Sequence, residues 1–168
     1  MKALVLGGVK SGKSRYAETL ATSISGQVTY IATATPLDSG MAERIRRHRE
    51  DRDSSWCTVE EPLQLAQAIR NAASSDVILV DCLTLWLTNL LLKEDEALLH
   101  QEVSLFEDAV SDCRISLIMV SNETNMGIVP LGELSRRFCD EAGMLHQRLA
   151  GVCDRVELIV AGLPLKLK

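Results

Sequence analysis

The chain has 168 residues, 46% of them hydrophobic and 24% charged, with a net charge of −5; this composition excludes a disordered or collagen-like polymer and fits one folded domain over 1–168. The pI near 5.2 argues against non-specific binding to nucleic acid or anionic membranes. No apolar run approaches the roughly 20 residues of a membrane span.

In chain order, short aliphatic runs alternate with longer helical stretches. Residues 2–6 (KALVL) form a strand that ends in Gly7-Gly8, and residues 13–24 follow as a helix. Residues 28–31 are a second strand. Asp38 caps a helix running to about Arg52, and Pro62 opens another through LQLAQAIRNAA as its first residue. VILV at 77–80 is a fully apolar run ending in Asp81, as in a buried parallel strand. Helices follow at 83–92 and 97–110, a buried strand at 115–120, a helix at 131–150 and a last strand at 156–160. Such alternation predicts an α/β fold of the P-loop NTPase-like (RecA-like) kind, a mostly parallel sheet with helices on both faces. Ligands in such sheets bind beyond the C-terminal ends of the strands.

Five cysteines (Cys57, Cys82, Cys113, Cys139, Cys153) are scattered and never spaced as C-x-x-C. Neither a disulfide framework nor a zinc site is expected, and most should be small buried hydrophobes. The first residues run into glycines too early for a signal-peptide core, so a cytoplasmic location is expected.

Gly7-Gly8-Val9-Lys10-Ser11-Gly12-Lys13-Ser14 fits G-x-x-x-x-G-K-[ST] between a strand and a helix. Glycines let successive N–H groups face one anion, and the helix N-terminus adds partial positive charge. Lys13 would reach the β/γ-phosphates, and the Ser14 hydroxyl would ligate Mg²⁺. Asp81 has the position and type to hold the same metal, with capping of the next helix as its alternative. No N-K-x-D guanine box is present.

Residues 44–52 place five arginines around His48. Spacing of four stacks Arg44, His48 and Arg52 on one helical face. Two readings stand. One is a solvated helix laced with salt bridges to Glu43, Glu50, Asp51 and Asp53. The other is a nucleophilic imidazole, kept neutral by guanidinium charges that also hold a polyphosphate.

These segments together resemble the bifunctional adenosylcobinamide kinase/adenosylcobinamide-phosphate guanylyltransferase family of cobalamin biosynthesis. The matching strings are LGGVKSGKSRYAE (6–18), YIATA (30–34), MAERIRRHRE (41–50), WCTVEEPLQL (56–65), VDCLTLWLTNLL (80–91), VSNETNMGIVP (120–130) and VAGLPLKLK (160–168). Val9-Lys10 stand where family members more often have Ala-Arg. The chain is short for the family, and the missing length falls after Leu92. The resemblance implies phosphorylation of adenosylcobinamide by ATP or GTP. It then implies transfer of GMP from GTP to adenosylcobinamide phosphate through a guanylylated His48. It also implies nucleotide contacts at Ile31, Ala32, Thr33, Arg49, Glu50, Asp51, Arg52 and Glu60, and a homo-oligomer, a trimer. Glu60 suits guanine, since a carboxylate accepts from N1–H and N2–H₂; a capping acid within Glu60-Glu61-Pro62 is its alternative.

Three weaker features remain. Ser121-Asn122-Glu123 follows an apolar run, either meeting substrate or the Mg²⁺ shell or forming a polar turn. Trp56 and Trp86 read as packing residues rather than corrin platforms, and His100 and His146 as structural.

Overall fold

Strands buried on both faces need aliphatic side chains at successive positions, and KALVL, VILV and SLIMV supply the middle of the sheet. The structure, a computed structural model, describes residues 1–35, 40, 43, 46 and 53–168. Among these residues seven strands, β1 (Lys2–Gly7), β2 (Val28–Ala32), β3 (Cys57–Glu60), β4 (Val77–Asp81), β5 (Ser116–Asn122), β6 (Arg155–Val160) and β7 (Leu163–Lys166), form one sheet in the order β3-β2-β4-β5-β1-β6-β7. All neighbours pair in parallel except β6 and β7. One strand, β5, separates β1 from β4, the arrangement of RecA-like sheets.

Alternation along the strands divides the core into two layers. Ala3, Val5, Leu79, Ile118 and Val120 pack with Ala17 and Ala21 of helix α1 (Lys13–Thr22). Leu4, Ile78, Val80, Leu117 and Met119 lie in the opposite layer. That layer is closed by α2 (Leu65–Asn71), α3 (Leu83–Leu91), α4 (Glu96–Asp112) and α5 (Glu133–Val152). Trp86 is its largest fully buried side chain. The indole lies 4.9 Å from the Phe106 ring, and its N–H donates to the Leu63 carbonyl at 2.8 Å. It is a packing residue, as expected. Trp56 is half-buried with its ring 6.3 Å from Tyr30.

The structure departs from the predicted elements at four places. Strand β3 was not foreseen because it is a short edge strand in which only Val59 meets the core. Strand β7 is exposed throughout; its signal was the Ala161-Gly162 turn, where φ is 52° and 81°, as a two-residue hairpin demands. Pro62 does not open a helix. Glu61 instead accepts the N–H groups of Leu63 and Gln64, each at 2.9 Å, and α2 starts at Leu65. Strand β5 runs on through Ser121 and Asn122, so these two residues are sheet rather than turn.

Most of the predicted 38–52 helix lies outside the described residues. Within it Gly40, Glu43 and Arg46 are helical, and Arg46 pairs with Glu43 at 2.7 Å. All five cysteines are free. Burial holds fully for Cys82 and Cys153 only, Cys113 and Cys139 being half-buried and Cys57 exposed. Burial, helped by the Asp81 charge, pushes the Cys82 thiol up to about 12; burial likewise takes Cys153 to about 11. Such thiols are unreactive near neutrality. No described helix is long and apolar enough to cross a membrane. Trp86→Phe, which shrinks a fully buried ring and orphans the Leu63 carbonyl, should cost about 2 kcal/mol. Urea unfolding should show a lower midpoint at unchanged slope.

Candidate active site

The loop between β1 and α1 is built around two glycines that admit no side chain. A Cβ on Gly7 would lie 2.4 Å from Ser11 Oγ and 2.8 Å from the Ile159 carbonyl oxygen. Gly12 has φ +98° and would bring a Cβ to 3.1 Å from Gly162 Cα. Between them Ser11 N–H donates to the Gly8 carbonyl at 3.2 Å, and Gly162 N–H donates to the Ser11 carbonyl at 2.8 Å. The β6–β7 turn thus braces the loop from behind.

Lys13 opens α1 and is only 7% exposed; its ammonium donates to the Gly8 carbonyl at 3.1 Å. The charge is therefore folded across the mouth of the loop. The first turn of α1 has no acidic residue and no capping side chain, which leaves its N–H donors and the positive end of the helix for an anion. Ser14, half-buried in that turn, makes no side-chain hydrogen bond among the described residues. Val9 is exposed, and Lys10 has a positive φ of 55°.

Register brings the remaining described candidates to the same sheet edge. Ala32 pairs with Glu60 on one side and Asp81 on the other. Register partners in a parallel sheet share a face, so all three residues line one row on the α1 side. Asp81 caps nothing: the N-cap of α3 is Cys82, and the Asp81 carboxylate accepts the Tyr30 hydroxyl at 3.0 Å. Its other oxygen has no hydrogen-bond partner among the described residues. Ahead of α2, Glu61 accepts the N–H groups of Leu63 and Gln64, and the N-cap Gln64 makes no side-chain cap.

Two candidates have structural work of their own. The Ile31 side chain is fully buried on the α2–α5 side, so only its backbone can meet a ligand. Thr33 is fully buried and clasps β2 to β4: its hydroxyl donates to the Cys82 carbonyl at 2.6 Å and accepts the Cys82 N–H at 2.8 Å. Asn89 Nδ2 then holds the carbonyls of Thr33 at 2.8 Å and Pro62 at 3.1 Å. His48, Arg49, Glu50, Asp51 and Arg52 lie outside the described residues.

Sequence reasoning missed Tyr30, Asn89 and Gly162. An amide inside the apolar helix LTLWLTNLL was the readable signal for Asn89, since buried polar groups need partners.

His146 is structural, as predicted, and His100 is exposed 3.8 Å from Glu96. The buried His146 Nε2 lies 2.8 Å from Ser121 Oγ, while Nδ1 is buried without a partner. Burial holds its pKa below the ordinary 6.5, and the Glu123 charge opposes this only in part.

A phosphate loop on β1, with a carboxylate on the next strand but one, defines a nucleotide-binding P-loop protein of the RecA-like class. The profile of the family described as cobinamide kinase / cobinamide phosphate guanyltransferase matches residues 3–167, and the chain belongs to this family of bifunctional transferases. It is 52% identical to the bifunctional adenosylcobalamin biosynthesis protein CobP of Pseudomonas aeruginosa, over 100% of this chain and 98% of that one. It is 38% identical to the bifunctional adenosylcobalamin biosynthesis protein CobU of Escherichia coli and 40% identical to that of Salmonella typhimurium. Both alignments cover the whole of each chain and extend over 182 positions. Here α3 passes to α4 through the short turn at 92–95.

Two outcomes follow from this geometry. Gly7→Ala should weaken triphosphate binding by at least ~10-fold, one hydrogen bond to a charged group being worth about that, with far-ultraviolet dichroism unchanged; calorimetric titration with GTP checks it. For His146, the unfolded chain takes up a proton near pH 6.5 while the folded chain resists until lower pH. Stability should therefore fall as pH drops below about 6.5, and His146→Gln should flatten that limb in urea midpoints measured against pH.

Proposed function

We propose that this chain binds a nucleoside triphosphate at residues 7–14 and uses it for two transfers. In the first, the terminal phosphoryl group of ATP or GTP passes to the hydroxyl of adenosylcobinamide. In the second, the His48 imidazole attacks the α-phosphorus of GTP and releases pyrophosphate; the bound GMP then passes to adenosylcobinamide phosphate, giving adenosylcobinamide-GDP. The observation that carries this reading is the braced phosphate loop, with buried Lys13 at its mouth and Asp81 in the facing row.

Each described residue has a distinct task in it. Loop N–H groups and the α1 N-terminus hold phosphate oxygens. Lys13 neutralises charge on the β/γ-phosphates, pre-positioned by the Gly8 carbonyl. Glu60, at the exposed end of β3, accepts from the guanine edge. Ser14 and Asp81 offer hard oxygens that suit Mg²⁺, which takes one or two protein ligands and completes its shell with phosphate and water. When bound, the metal offsets negative charge on the transferring group. Arg49, Glu50, Asp51 and Arg52 complete the nucleotide site beside His48. A cytoplasmic trimer acting on small molecules, without nucleic acid, completes the proposal.

Labelling separates the two reactions. With α-labelled GTP and Mg²⁺, wild-type protein should take up acid-labile, alkali-stable label, as a phosphoramidate does. His48→Asn should lose this label and adenosylcobinamide-GDP formation while still phosphorylating adenosylcobinamide, since only the guanylyl step needs a covalent nucleophile. Lys13→Ala should lose at least ~10²-fold in both activities. A His48→Asn protein that still takes up label would move the nucleophile elsewhere.

A further inference from the structure

The alternation of β5 gives its last two residues different roles. Ile118 and Val120 face the α1 layer, and Leu117 and Met119 face the opposite one. Ser121 continues the second set: its hydroxyl lies 2.8 Å from His146 Nε2 on α5 and 3.3 Å from Thr84 Oγ1 on α3. Asn122 continues the first set and faces the α1 side. Asp81 faces that side too, bonded by Tyr30 of the same layer.

Asn122 pairs with Gly7 across β1, and Asp81 pairs with Val120 across β4. The Asn122 carboxamide therefore stands on the strand between the phosphate loop and Asp81, two residues, or ~6.6 Å, beyond the Asp81 row. Its backbone is clamped from both sides. Asn122 N–H donates to Thr84 Oγ1 at 2.7 Å, and the next N–H, of Glu123, donates to the Gly7 carbonyl at 3.0 Å. The side chain is half-buried and makes no hydrogen bond among the described residues. A fixed backbone carrying an amide with no internal partner, on the face and at the edge where the glycine loop lies, is the arrangement of a ligand contact.

We propose that Asn122 is a catalytic residue whose amide donates to the terminal phosphate of the bound nucleoside triphosphate, distinguishing triphosphate from diphosphate and steadying the phosphoryl group in transfer. Thr84, Ser121 and His146 are the positioning residues that hold it there. This rests on the phosphate loop being the triphosphate site. In the transfer, the acceptor hydroxyl oxygen bonds to the γ-phosphorus. The bond from that phosphorus to the β,γ-bridging oxygen breaks with its electron pair left on the nucleoside diphosphate. The hydroxyl proton leaves to solvent. A neutral amide suits the task because it donates to the oxygens without drawing the acceptor's proton.

The test compares two affinities on the full chain with Mg²⁺: that for the β,γ-imido analogue of GTP and that for GDP. Wild type should prefer the triphosphate analogue. Asn122→Ala should lose about tenfold of that preference, as one hydrogen bond to a charged group would give, with GDP affinity changed less than about twofold. Asn122→Asp, equal in size but facing phosphate with a carboxylate, should lose more. In the kinase assay kcat should fall ~10²-fold at unchanged KM for the corrinoid. Equal weakening of both nucleotides, an unchanged preference in both variants, or a wild type without preference would overturn the proposal. A wild type that binds the analogue selectively but phosphorylates no corrinoid would overturn the acceptor reading, while the affinity comparison still decides on Asn122.

Discussion

The approach of the phosphate loop to the β6–β7 turn sets the terms for the rest of the site. Two peptide backbones meet there without intervening side chains: Gly12 against Gly162, Gly7 against Ile159, with the Gly162 N–H closing onto the Ser11 carbonyl. Backbone packed on backbone has almost no means of adjustment, because no rotamer can change to absorb a shift. The loop's curvature is thereby fixed before any anion arrives, and the donors need no reorganisation to meet one. The Lys13 ammonium, turned back onto the Gly8 carbonyl, shares this pre-set geometry.

The period of two in a strand does comparable work across the sheet edge. Asp81, Ala32 and Glu60 come from distant parts of the chain, yet register places them in one row on one face. The opposite parity serves the scaffold. Ile31 fills the other core layer, and Ser121 joins α3 and α5 through Thr84 and His146. Chemistry and support are thus interleaved residue by residue, and a slip of one position in β5 would exchange them.

How much of this was legible depended on where each signal resides. VILVD and SLIMV announced buried strands because both faces are covered, and the G-x-x-x-x-G-K-S string announced its loop because backbone geometry itself demands glycine. Asp81 was readable as the polar end of an apolar strand. Strands β3 and β7 were not, since an edge strand is held mainly by main-chain hydrogen bonds and its side chains need only tolerate solvent. Pro62 misled because its fixed φ suits several bends besides a helix start. A ligand contact at Thr33 is implied by the family resemblance and by no pattern of its own. Its hydroxyl is spent on Cys82, a partner 49 positions away that no local pattern reveals. The guanidinium-rich segment around His48 was legible in composition, and its role rests on that composition and on the family.

The sheet order also has a consequence for how the protein comes into being. Among the described strands the one that carries the phosphate loop comes first in the chain, yet its neighbours are β5 and β6, and its brace is the turn at Ala161-Gly162. During synthesis on the ribosome, α1 can coil soon after it emerges, while β1 waits for partners more than a hundred residues downstream. The backbone brace of the phosphate loop is therefore completed late, with the β6–β7 hairpin. A nascent chain of this fold can display its complete glycine-rich motif and still have no cradle to offer.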